Sequence, residues 1–242
     1  TSFRRITARL GAEFTPYDWF EFGLSANYSN SKSDYLGASG TQANNIWYTA
    51  MMMAPIYPVY EVDADGNAIL ENGKRVFDYG SSRPAGAQNN RNCIATLFDD
   101  DYYMISDNVN LRGHLGIKFG DFKLSTSLGA DILNENNSTK YNRNNGNAAG
   151  SGRLTKEYQR TRSYTWNQLL SYKHVFGEHT IDMMAGHEFY NIESHYLMGQ
   201  RTGFPFDDFT ELGMGSTLAD ATSTGETYSI NSWLCRANYN FA

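Results

Sequence analysis

The sequence is short of the aliphatic residues that fill globular cores. Leu, Ile, Val and Phe together make 47 of its 242 residues, a level at which disorder is usually suspected. Disordered chains, however, are also poor in aromatics and high in net charge. Here aromatics reach 14%, with 17 Tyr, and the net charge is only −6. No run approaches the ~20 consecutive apolar residues of a spanning helix. That leaves no spanning helix in these residues but does not exclude a β-barrel, whose strands alternate and average to mild polarity. Only two cysteines occur, Cys93 and Cys235. They lie far apart without C-x-x-C spacing, so no metal or redox motif is present and no disulfide between them is expected. Cys93 reads as a loop residue and Cys235 as an outward-facing strand residue. Acidic residues outnumber Lys and Arg by 26 to 20, which leaves no basic footprint for nucleic acid.

What is present is alternation. Ile6, Ala8, Leu10, Ala12 and Phe14 interleave with Thr7, Arg9, Gly11, Glu13 and Thr15, a period of two that marks a strand with one apolar face. Phe20 to Tyr28, Val109 to Phe119 and Phe122 to Ile132 repeat the pattern. Weaker alternation covers 156–176 and 179–199, and Trp233, Cys235, Ala237, Tyr239 and Phe241 mark a seventh strand. The connections run short, long, short, long. The short ones are Thr15-Pro16-Tyr17-Asp18, Gly120-Asp121 and Gly177-Glu178; the long ones span 34–101, 134–155 and 200–225. Soluble domains rarely carry several loops longer than ~12–15 residues, whereas outer-membrane barrels pair tight periplasmic turns with long external loops. Tyr17, Trp19, Phe20, Phe119, Phe122 and Phe176 flank the short turns, where an interfacial girdle belongs. The expected fold is therefore all-β: an antiparallel transmembrane β-barrel. Seven is an odd count, and an open edge would leave backbone polar groups unpaired in lipid. Residues 1–242 are thus expected to be a segment of a larger barrel, with no plug domain.

Several motifs carry a resemblance. They are Ala54-Pro55-Ile56-Tyr57-Pro58-Val59-Tyr60 followed by the Asp65-Gly66 turn, and Leu170-Ser171-Tyr172 with Phe176. His179-Thr180-Ile181 leads to Ala185-Gly186-His187-Glu188, and Ser232 precedes Arg236-Ala237-Asn238-Tyr239. In order and spacing the chain resembles the SusC/RagA-type TonB-dependent outer-membrane transporters of Gram-negative, Bacteroidetes-type bacteria. That resemblance implies a 22-stranded barrel occluded by an N-terminal plug, of which seven strands would be about a third. It also implies uptake of oligosaccharide or peptide, a SusD-like surface lipoprotein as lid, and energy from the TonB complex through parts absent from these residues. No cofactor is implied. A passive outer-membrane porin or structural barrel is the alternative, and a secreted β-sandwich binding module a more distant one.

The five histidines fit no catalytic spacing, neither H-E-x-x-H nor G-x-S-x-G, so no enzyme is expected. They read as lumen- and interface-facing polar residues. Val59 to Val62 and Ala68 to Leu70 flank Asp63-Ala64-Asp65-Gly66-Asn67, which reads as a hairpin turn rather than a calcium loop because Lys74 stands where the twelfth-position glutamate belongs. Asn72-Gly73 marks a further turn. Asp99, Asp100 and Asp101 read as a solvated acidic run, and 134–152 as a mobile Asn- and Gly-rich loop. Candidate cargo- or lid-contacting residues are the loop aromatics Trp47, Tyr48, Tyr57, Tyr60, Phe204, Phe206 and Phe209, since aromatic surface beside polar groups stacks on sugars and packs peptide side chains.

Overall fold

A computed structural model describes residues 2–35, 42–81, 83–84 and 86–241. Those parts of the expected 1–242 segment and of the 34–101 loop that fall at 1, 36–41, 82, 85 and 242 lie outside the described residues. The chain folds as β1 (Ser2–Tyr17), β2 (Phe20–Asp34), α1 (Ile46–Met52), β3 (Leu70–Glu71), β4 (Lys74–Arg75), α2 (Cys93–Asp99), β5 (Asp101–Phe119), β6 (Phe122–Tyr141), β7 (Arg153–Phe176), β8 (His179–Thr202) and β9 (Thr217–Phe241). Seven strands form one antiparallel sheet in the order β1-β2-β5-β6-β7-β8-β9, and β3 and β4 form a small separate pair.

Directly opposed residues in antiparallel strands share a face, so the register carries each strand's alternation across the whole sheet. Leu10, Ala26, Leu111, Ala130 and Tyr164 stand in one apolar row. Beside it on the opposite face run Asn27, Asn110, Asp131 and Ser163. Asn27 Nδ2 donates to Asn110 Oδ1 at 3.2 Å, and Asn110 Nδ2 donates in turn to Asp131. One face is thus oily and the other a hydrogen-bonded polar surface. The oily face is left open: Leu128 is 57% and Trp233 79% exposed. On the polar face Arg9, Glu13, Arg112, His114, Asp131 and Asn167 edge a recess of about 630 Å³.

Two of the three tight turns lie where expected. Gly120 and Gly177 have φ of 61° and 63°, the conformation a two-residue hairpin demands of a glycine in its first central position. The first turn is shifted. β1 continues through Tyr17, so Asp18-Trp19 makes the turn, with a register break between Phe14 and Tyr17. Pro16 sits inside that break, and proline has no N–H to give to a ladder.

The long connections are shorter than the sequence indicated: 35–100, 142–152 and 203–216 rather than 34–101, 134–155 and 200–225. Residues 133–141, 153–155, 200–202 and 217–225 are strand, paired residue for residue apart from one register shift near Gln200. Here polar residues occupy both faces, and the period of two vanishes. Pairing with neighbours holds these strands where propensity does not.

Candidate functional site

The buried residues concentrate at the end of the sheet opposite the tight turns, where the three long connections meet. Ala95, Tyr102, Ala148, Leu154, Phe204 and Phe209 are the buried apolar residues among those described. A polar hub joins two of the connections. Asp100 Oδ1 accepts from the backbone N–H of Asn142 (2.7 Å) and from its Nδ2 (2.6 Å). Its Oδ2 accepts from Asn44 Nδ2 (2.6 Å) and the Tyr102 hydroxyl (2.8 Å). Asn142 Nδ2 also donates to Asn145 Oδ1 at 2.6 Å, and Asn145 Nδ2 donates to the carbonyl of Asn92 and to Thr96 Oγ1. Asn92 caps α2 through Ile94 and Ala95 and donates to the carbonyls of Val59 and Asp78. Segment 142–152 is therefore not a loose loop. Its asparagines are the hub, because a short amide with donors and acceptors can satisfy several buried backbone groups at once.

Nor is 99–101 a solvated acidic run. Only Asp101 is exposed. Asp99 is half-buried and accepts from the Tyr79 hydroxyl at 2.9 Å. Burial pushes the Asp99 and Asp100 carboxyls above the ordinary aspartate range, against the pull of their hydrogen bonds. Burial, with the Asp99 carboxylate next, likewise raises Tyr79. Asp63 behaves oppositely. The backbone N–H of Asn67, followed by its side chain, holds that exposed carboxyl below the ordinary range, and the hairpin closes with Val62 bridging Ala68. The second turn forms too: Asn72 and Gly73 take φ of 52° and 77° between β3 and β4.

The sequence-selected aromatics divide into two groups. Phe204 and Phe209 stack with centroids 3.9 Å apart and are closed from solvent against Leu154 and Leu212. They hold the connections together rather than face solvent. Gly152, with φ of 66°, makes room, since a Cβ there would lie 3.0 Å from the Phe209 ring. Tyr60 stacks on Phe77 at 5.1 Å, and Tyr57 and Tyr48 are covered in part by the Arg83 and Arg91 guanidiniums at 4.6 and 5.4 Å. Arg83 is itself buried and paired with Asp78 at 2.7 Å. Trp47 and Phe206 remain exposed. Sequence reasoning missed their apolar neighbours in kind. Met51 stands one turn after Trp47 on α1, Ile56 follows, and Phe98 lies on α2, all at least 70% exposed. The helices α1 and α2 lie against each other. The signal available was the i, i+4 spacing of Trp47 and Met51.

The histidines are placed differently from expectation. By register only His114 lies on the polar face; His174, His179, His187 and His195 share the face of Leu128 and Trp233. His187 is satisfied there by Gln168 and Asn231, at 2.5 and 2.8 Å, and lies beside the Trp233 ring. Cys93 opens α2, Cys235 is exposed on β9, and both are free thiols.

A two-faced antiparallel sheet with tight turns at one end and packed loops at the other is a section of transmembrane β-barrel wall. Solved structures with this fold include those of the RagAB peptide importer. The chain is similar to it in the 'closed-closed' state (20% identity, TM-score 0.71) and in the 'open-open' state (22%, 0.73). A structure of the RagAB peptide transporter gives 21% and 0.71. Each match covers 99% of this chain and 26% of the other, so the chain spans about a quarter of the length of what it matches. No family model and no curated protein matches the sequence.

Proposed function

We propose that this chain forms wall strands and external loops of an outer-membrane, TonB-dependent nutrient importer of the SusC/RagA type, a transport protein and not an enzyme. The observation that carries the reading is the fold match along 99% of the chain to a peptide importer. The exposed apolar residues of the loops support it. Trp47, Met51, Ile56, Phe98 and Phe206 offer apolar surface on hydrogen-bonded loops, and aromatic and Met side chains are enriched at protein interfaces. A SusD-like lipoprotein seated on that surface as a lid, with oligosaccharide or peptide cargo beneath it, fits its chemistry. TonB coupling belongs to parts of the importer outside these residues.

The test uses the full-length protein in its own outer membrane. Uptake of a labelled oligosaccharide or peptide mixture should require both this protein and TonB. Uptake that persists without TonB would favour the passive pore, and recovery of the protein only in soluble fractions would defeat both. Changing Trp47 and Met51 to Ser should release the lipoprotein while leaving the barrel assembled.

A further inference from the structure

On the oily face β1, β2, β5, β6 and β7 turn polar near one level, and β8 and β9 turn polar lower down, at Asn191 and Asn231. The first outward residue past the apolar stretch is Arg4 on β1, Asn30 on β2, Asp107 on β5, Asn134 on β6 and Arg162 on β7. On β7 a second arginine, Arg160, follows in the same outward column. Arg162 pairs with Glu193 of β8 at 2.9 Å. Arg160 has no such partner: among the described residues its guanidinium makes no ion pair or hydrogen bond, and its Nε is shut off from water. A buried N–H left without an acceptor is costly, and native structures rarely leave one unexplained.

The surroundings of Arg160 are suited to an anion. Asn134 faces it from β6 and His195 from β8, with Gly225 of β9 beyond. A Cβ on Gly225 would lie 3.1 Å from His195 Nδ1, so the imidazole rests over that bare glycine. Tyr158, one outward position further on, donates its hydroxyl to Asn134 at 3.1 Å. Tyr158, His195, Leu197, Ser223 and Gly225 border a shallow recess of about 360 Å³ on the same face. The nearest outward carboxylate, Glu193, is already taken by Arg162.

We propose that Arg160, with His195 and Tyr158, is a binding site for the phosphate of a lipid headgroup in the leaflet around the loop end of the barrel. The inference rests on the membrane reading above. Arg160 lies four residues past Tyr164, the last apolar residue of its column, a rise of roughly 10 Å for a strand tilted by ~40°. From just above the apolar band a long arginine side chain reaches back along the wall to headgroup phosphates. The planar guanidinium fork matches phosphate oxygens two at a time, and its charge complements theirs.

The test places the full-length protein in phosphatidylcholine nanodiscs doped with lipid A, a doubly phosphorylated glycolipid, and counts bound lipid A by native mass spectrometry. Arg160→Gln should weaken retention about tenfold, the loss expected for one charge-assisted contact. Gly225→Val, which would displace the His195 ring, should weaken it too. Lys173→Gln makes the same charge change on the opposite face near the tight turns and should leave retention intact. Equal retention by the Arg160→Gln protein overturns the proposal. Displacement of lipid A by excess inorganic phosphate overturns the lipid as occupant. Flotation with vesicles is measured first, so a protein that does not float defeats the membrane reading separately.

Discussion

Leu128 and Phe209 are both large apolar side chains in opposite circumstances. Leu128 is 57% exposed in the middle of the sheet, whereas Phe209 is sealed among Phe204, Leu154 and Leu212 where the loops meet. The sheet has no core of its own. Its strands pair along their length from β1 to β9, but its oily face is left open among the described residues. The loop end is built like a small soluble domain turned inside out, with a thin apolar centre and a hub of Asn and Asp. The difference teaches that stability in this chain has two separable sources, a solvent the sheet requires and a hydrogen-bonded core the loops supply themselves.

The comparison can be broken most forcefully at Phe209. Phe209→Ala removes a fully buried ring and should cost about 3–5 kcal/mol. Limited proteolysis of the membrane-inserted protein should show new cuts in 142–152 and 203–216 with the tight-turn end unchanged. Loss of the whole barrel instead would mean the two ends fold as one. The sheet is next. Leu128→Arg should impair membrane assembly by ~2–4 kcal/mol near mid-depth, whereas Ser127→Arg, one residue along on the polar face, should be tolerated. Equal sensitivity at both positions in a heat-modifiability assay would reverse the assigned faces. At the hub, Asp100→Asn places an amide N–H₂ against groups that all donate, a cost of ~1–3 kcal/mol, read as a lower urea midpoint for loop opening.

The smallest effect is that of pH, and it separates two loop carboxyls by sign. Asp100 is raised in the folded state, so the folded loop binds more protons than the unfolded one just above the ordinary aspartate range. The contribution of Asp100 therefore strengthens as pH falls through that window and weakens as pH rises through it. Asp63 is lowered, so its contribution is present above the ordinary range and is lost as pH falls through its depressed value. Hydrogen exchange of the two segments across the acid range should show opposite trends, and Asp100→Asn should flatten the first.

The legible part of the fold was the two-faced part of the sheet. Between Ile6 and Phe14, or Val109 and Phe119, one face must be oily and the other wet, and alternation records that demand. On β6, past Ile132, the strand reads Leu-Asn-Glu-Asn-Asn-Ser-Thr-Lys-Tyr, because both of its faces are polar there. Only its partners on β5 and β7 reveal it as strand. The site was less legible for a related reason. Phe204, Phe206 and Phe209 sit in one short segment, yet only Phe206 faces solvent. What separates them is a glycine fifty-two residues before the first of them, Gly152, and strands that arrive from elsewhere. Burial in a loop is decided by long-range contacts that no local pattern encodes.

β7 and β8 run 24 residues and β9 runs 25. At ~3.3 Å per residue and a tilt of ~40°, such strands climb roughly 60 Å, about twice the height of the apolar band. Above the Arg160 level the strands then form a parapet beyond the apolar band, and the cap built on Asp100 and Phe209 crowns it. An arriving solute or protein would meet this raised rim well before it met lipid, so capture and membrane passage would occur on separate storeys of one continuous wall.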